Sequence, residues 1–260
     1  MIRKIQVVIL ATLIVLPVLS FAMDKISGQQ IIENVYNRQT GNDQQADLTM
    51  SLINSRGEQR IRTIRQFTKD FGEMNKKIMF FKSPADVRNT SFMNWSYDDE
   101  SKDDDQWIYL PTLKKVKRIS SDSKNDYFMG SDFTYDDLGD RHPSADKHKL
   151  IGSETINGEE CTIVESIPND EEYMYSRTVT WIIKDKWIGL KKDFYDEDEE
   201  LLKTLHVKKY EEISGYQIIL STEMHNIQKD HRTLMQLSNV IIDTGISDTQ
   251  FSDRMMKRGL

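Results

Sequence analysis

Cysteine is almost absent. Cys161 stands alone among 260 residues, so no intrachain disulfide can form. It lies between Glu160 and Thr162 in a strand-like run and reads as a buried, inert thiol, with a reactive thiol as the weaker alternative. Glycine is sparse, at 12 residues, and the strand-like runs are long. That pairing favours one large curved sheet over a two-layer sandwich. Positive charge is in deficit. The formal net charge is −7, and losing Arg3 and Lys4 with a leader would make the remainder more acidic still, which argues against nucleic acid as a main partner. Nucleotide and hydrolase motifs are missing too: there is no G-x-S-x-G, P-loop or G-x-G-x-x-G. His142, His148, His206, His225 and His231 form no H-x-x-x-H or H-E-x-x-H pair. Nothing therefore nominates an enzyme, a metal centre or a cofactor.

Long apolar runs are confined to the start. Residues 1–22 carry Arg3 and Lys4, an apolar stretch from Ile5 to Leu16, then Pro17 and Ser20-Phe21-Ala22. Small residues three and one before a cut, behind a short apolar run, describe a cleaved secretory signal peptide rather than a membrane anchor. No cysteine follows the cut to carry a lipid. Residues 23–260 hold no second run long enough to span a bilayer and no linker, so they read as one domain exported from the cytoplasm.

Within that domain, Ser27 can cap a helix reaching Arg38, with Ile31, Ile32, Val35 and Tyr36 at helical spacing. Period-two runs follow from Ala46 to Asn54 and from Gln59 to Thr68, around the turn Ser55-Arg56-Gly57. Further runs continue to Asp243, with Asn157-Gly158 as another hairpin signal, and a short helix spans Asp248–Arg258. The pattern predicts about eleven strands in an antiparallel meander, with a helix at each end and helical or irregular cover near Asn125–Leu138.

Three side-chain sets invite a function. The acidic run Asp98–Asp105 lacks the spacing and central glycine of an EF-hand loop and reads as a solvated hairpin tip. The basic run holding Lys114, Lys115, Lys117 and Arg118 reads equally as a solvated edge strand and as a contact for an acidic partner or lipid headgroups. The third set is apolar: Phe67, Met79, Phe81, Met93, Trp95, Trp107, Tyr109 and Trp181 in strands, and Phe128, Met129, Phe133 and Leu138 in the cover. Each alone reads as core. Together they would line one face of a sheet and a lid over it, and flexible Met side chains suit an irregular apolar ligand.

The stretch from Asp86 to Leu138 also resembles a known family. Phe92–Tyr97, Asp105–Pro111, Lys117–Ile119 and Phe128–Leu138 are similar to the bacterial outer-membrane lipoprotein-sorting proteins, a branch of the LolA-like superfamily. The resemblance implies an incomplete antiparallel β-barrel with helices as a lid over an apolar cavity. It implies a periplasmic carrier for lipid, lipoprotein acyl chains or another hydrophobe moving toward the outer membrane, with an RND-type inner-membrane exporter as partner. The alternative is a periplasmic interaction or sensor module of the same fold that transports nothing.

Overall fold

The computed structural model describes residues 26–260; the expected signal peptide lies outside them. Thirteen strands form a single antiparallel sheet. The first six are β1 (Asp43–Ile53), β2 (Gln59–Asp70), β3 (Met74–Ser83), β4 (Ser91–Tyr97), β5 (Asp105–Leu110) and β6 (Lys115–Arg118). The other seven are β7 (Asp146–Ile156), β8 (Glu159–Pro168), β9 (Arg177–Ile183), β10 (Ile188–Tyr195), β11 (Leu201–Ile213), β12 (Tyr216–Asn226) and β13 (His231–Ile242). Their order is β6-β5-β4-β3-β2-β1-β13-β12-β11-β10-β9-β8-β7. Two hairpin meanders are thus joined in the middle, where β1 pairs with β13, Met50 opposite Met235. The sheet does not close: β6 and β7 are its edges. The count is thirteen where the sequence suggested eleven.

A sheet this wide must curl or leave large faces wet. Period-two alternation decides which side chains go where. On β3, Met79 and Phe81 point to one face, and Ile78 and Phe80 to the other. We call the first the inner face. It is covered by the one connection that is not a hairpin, residues 119–145, which runs from edge strand β6 to edge strand β7. This crossover contains only short 3-10 turns, at Asp122–Asn125, Phe128–Gly130, Asp136–Leu138 and Pro143–Ala145. The expected helical lid is therefore an irregular one. Its sequence explains why: Gly130 and Gly139 interrupt it, and Ser131, Thr134 and Asp137 satisfy backbone groups through side chains instead of helical bonds.

The two α-helices lie on opposite faces of the sheet. α1 (Gly28–Tyr36) starts in a capping box, with Ser27 and Gln30 bonded reciprocally, as its sequence predicts. It packs Ile31 against Val164 of β8 and Ile182 of β9, on the inner face. Gly28 is needed there, because a Cβ would come within 2.7 Å of the Leu150 backbone nitrogen. α2 (Asp253–Arg258) lies on the outer face of the first six strands, burying Met256 and the preceding Phe251 against Ile78, Phe80 and Met93. Asp43, at the start of β1, ties down the segment leading to α2: it accepts from the amides of Thr244 at 2.9 Å, Gly245 at 2.8 Å and Ile246 at 3.2 Å.

Candidate functional site

The inner face and its crossover form one apolar cluster. Leu48, Met50, Ile64, Met79, Phe81, Phe92, Phe194 and Met224 come from the sheet, and Phe128, Phe133 and Leu138 from the cover. Phe128 is the wedge. It is fully buried, with its ring centroid 5.1 Å from that of Phe92, 6.0 Å from Phe81 and 5.5 Å from Tyr135. The following residue, Met129, has φ +50, an uncommon conformation for a side chain of its size, held where its carbonyl accepts from the Arg62 guanidinium.

Polar groups pin the crossover along its length. Lys203 on β11 is completely buried, and its ammonium donates to Asp137 Oδ2 at 2.5 Å and to the Asp132 carbonyl at 3.0 Å. Asp137 also accepts from Tyr175 at 3.0 Å and from the Thr134 amide at 2.6 Å. Asp132 Oδ2 accepts from Thr233 at 2.6 Å and is 2.8 Å from His231 Nδ1. Asn226, fully buried, donates to the Tyr127 hydroxyl at 3.0 Å. Lys77 and Gln106 donate to the carbonyls of Leu138 and Tyr135. At the far end, Asp104 receives Asn94, Ser96 and the Asp140 amide, while burial pushes its carboxyl above the usual range. Gly139 permits that approach, since a Cβ there would meet Asp104 Oδ2 at 2.3 Å.

The hydroxyls facing this network are held neutral. Burial, then the nearby carboxylates Asp136 and Asp137 respectively, push Tyr173 and Tyr175 well above their ordinary value. Lys192 on β10 is half-buried; burial lowers its pKa, against the opposing pull of Asp146, Asp137 and Asp136. It has no hydrogen-bond or ion-pair partner among the described residues, whereas Lys203 has two. His231 and Asp132 form an oriented pair, but no hydroxyl or thiol of the described residues lies in hydrogen-bond reach of His231 Nε2. No group of His, Cys, Asp and Glu among the described residues is arranged to hold a metal ion.

The apolar residues singled out from the sequence do not share one face. Met79, Phe81, Phe128, Phe133 and Leu138 meet in the inner cluster, with Met129 packed against it. Phe67, Met93, Trp95, Trp107 and Tyr109 lie on the outer face with α2, Trp95 and Trp107 in an edge contact at 4.9 Å. Trp181 belongs to a third cluster, with Cys161, Ile183 and Ile188. The expectation that all twelve line one cavity is corrected by the strand period: Phe92 and Met93 are neighbours in sequence and point opposite ways. Sequence reasoning gave no role to Lys203, Tyr175 and Asn226, which carry no motif, nor to Asp132 and Asp137 individually within the stretch that carries the resemblance. Lys114, Lys115, Lys117 and Arg118 are exposed at edge strand β6, and Arg118 is paired with Asp105.

Two clefts stand out on the surface, and neither is lined by the inner cluster. One, of about 410 Å³, lies between α1, the β4–β5 tip and His142–Ser144, with Glu33, Asp98 and Glu100 on its walls. There burial, then Asp98, Asp140 and Asp104, push Tyr36 up to about 12. The other, of about 230 Å³, lies by Asp103, Arg118 and Lys124.

The comparisons decide the family. A family model described only as an uncharacterized protein matches residues 73–258. A DUF1329 family protein from Desulfovibrio piger is 31% identical, with 88% of this chain and 97% of that chain covered and a TM-score of 0.83. A domain from Vibrio parahaemolyticus described as a candidate outer membrane lipoprotein-sorting protein is 34% identical, covering 89% and 98% of the two chains, again with a TM-score of 0.83. The chain belongs to the outer-membrane lipoprotein-sorting protein family. A LolA superfamily protein from Nitrosomonas europaea shares the fold at 16% identity and a TM-score of 0.67, over 88% of this chain and 99% of that one. No curated protein matches the chain. The family member's open antiparallel sheet thus carries an inner face that is filled by its own crossover.

Proposed function

We propose that this protein is a periplasmic carrier of a hydrophobic cargo, and that residues 125–138 occupy the cargo's place when it is absent. One observation carries the reading. An inner face rich in Met and Phe is covered by a segment without regular structure, held by polar contacts that can be exchanged for water. Apolar surface of this kind takes up acyl chains readily, at about 0.8 kcal/mol per buried CH₂. Displacement of Phe128, Phe133 and Leu138 would expose Met79, Phe81 and Phe92 to the cargo. The Vibrio relative's description as a lipoprotein-sorting domain supports lipoprotein acyl chains as cargo; lipid as cargo, transfer toward the outer membrane and an RND-type exporter as donor belong to this proposal. Phe67, Met93, Trp95, Trp107, Tyr109 and Trp181 have a structural role in this scheme, and no chemical step is needed.

A second reading has its own support. The inner face is already filled, and Lys203–Asp137 fastens the plug with a buried ion pair, as suits an interaction module that never opens. Native mass spectrometry with lipid extraction, on protein purified from the periplasm, separates the two. A bound lipid or acylated peptide supports the carrier. An unliganded mass, with no uptake of added lipid, supports the module and defeats the carrier.

A further inference from the structure

We infer that one end of the sheet docks on an anionic phospholipid surface, through the hairpin tips of the first six strands. Because every neighbouring pair is antiparallel, the β1–β2, β3–β4 and β5–β6 hairpins all leave the sheet at the same end. With strands about 4.8 Å apart, the three tips span about 20 Å.

These tips combine cations with exposed aliphatic side chains. Arg60, Arg88, Lys114, Lys115 and Lys117 are exposed, and none forms an ion pair among the described residues. Between them Ile61 is 53% exposed and Leu113 47%. Leu113 in the β5–β6 turn and Ile61 near the start of β2, flanked by basic groups, suit the boundary between headgroups and acyl chains. An acidic protein surface would account for the cations alone. The opposite half sharpens the geometry. At this same end, the β8–β9 and β10–β11 tips carry Asp170, Glu171, Glu172 and the run Asp196–Glu200. An anionic membrane repels that side and attracts the other, so the molecule would land tilted on its first-half tips. Arg62, at the base of the first tip, holds the Met129 carbonyl, so the apex of the crossover faces the same end. Docking would bring the plugged inner face to the lipid. The inference does not require the cargo reading, since a docked module need carry nothing.

The test is sedimentation of the full mature chain with vesicles of phosphatidylglycerol and phosphatidylethanolamine, against vesicles of phosphatidylcholine. Binding to the anionic vesicles alone, weakened by 0.5 M salt, is expected. Each tip cation contributes about fivefold, so Arg60→Gln/Lys114→Gln/Lys115→Gln lowers the affinity about a hundredfold. Ile61→Ser/Leu113→Ser lowers it without changing the salt dependence. Asp198→Lys/Glu199→Lys, on the acidic side, raises it or leaves it unchanged. Unaltered melting temperatures show that these surface variants fold. Failure to bind anionic vesicles, or equal binding by the triple variant, overturns the docking surface. Lipid extraction from the same protein decides the carrier reading separately.

Discussion

The two halves of the sheet solve the same packing problem differently. In β1–β6 both faces are apolar: α2 covers the outer one through Phe251 and Met256, and Phe128 wedges into the inner one. In β7–β13 no α-helix covers the outer face, α1 packs on the inner face of β8 and β9, and that face also carries Lys203, Lys192, Thr178 and Thr180 alongside Phe194. The crossover spans both. Its first part is held by ring contacts, its second by a buried ion pair with tyrosine donors. The apolar half supplies adhesion that tolerates a substitute ligand. The polar half supplies position, since Asp137 can satisfy Lys203 in only one register.

The largest effects should come from attacking each fastening in its own way. Lys203→Met leaves Asp137 buried with only Tyr175 and the Thr134 amide, and should destabilise by about 3–5 kcal/mol. Lys203→Met/Asp137→Leu should recover much of this, measured by urea unfolding, because paired apolar replacements remove the buried charge altogether. A double variant no better than the single would show that the network, rather than the pair, positions the crossover.

Phe128→Ala should cost about 3 kcal/mol or more, as does any large buried ring lost to a cavity. Phe251→Ala, on the outer face, should cost a similar amount. Only the inner variant should gain binding of an apolar fluorophore such as ANS at temperatures where both remain folded. An equal gain in both would dissolve the distinction between plug and core.

The sequence revealed the sheet better than the site. Period-two runs such as Leu48, Met50 and Leu52 fix a strand and its face at once, and Ser27 with Gln30 marks α1. Phe92 and Met93 show where such reading stops. Both are apolar and fully buried, and only the partner on each side of the sheet, crossover or α2, tells them apart. In a strand covered on both faces, alternation of polarity vanishes. The crossover was legible as an apolar, aperiodic stretch but not as 3-10 turns, because its bonds run to distant groups such as Thr233 and Lys203. Lys203 itself looks like any strand lysine until its 0% exposure is known.

Asp43 gives a smaller effect with a definite pH sign. Burial opposes its ionisation, but the amides of Thr244, Gly245 and Ile246 outweigh it and hold the carboxyl below the ordinary 3.8. A carboxylate lowered in the folded state contributes stability above its unfolded pKa and loses it as pH falls through the folded one. Asp43→Asn should therefore cost about 1–3 kcal/mol at neutral pH. The gap from the parent should close in acid, below the ordinary 3.8. Thermal melts across that range provide the measurement, and a gap independent of pH would assign Asp43 a packing role only.

Lys192 should give the smallest change, with the opposite sign. Burial lowers its pKa from the ordinary 10.5, so the folded state disfavours the charged form. Where the lysine is charged, the fold bears the cost of burying that charge without a direct partner. The cost fades as pH rises through the folded pKa toward 10.5. Lys192→Met should thus raise stability by about 1 kcal/mol at neutral pH, with the advantage shrinking in alkali. The neighbours set the counter-case. Asp136, Asp137 and Asp146 pull toward the charged form, and Arg141 pushes against it. If those carboxylates rely on Lys192, the methionine variant will be less stable than the parent, and the polar half will be a four-way charge lattice rather than one ion pair with a spare lysine. If it is more stable, the protein keeps a destabilising cation beneath its plug, which is the placement an anionic cargo headgroup would need.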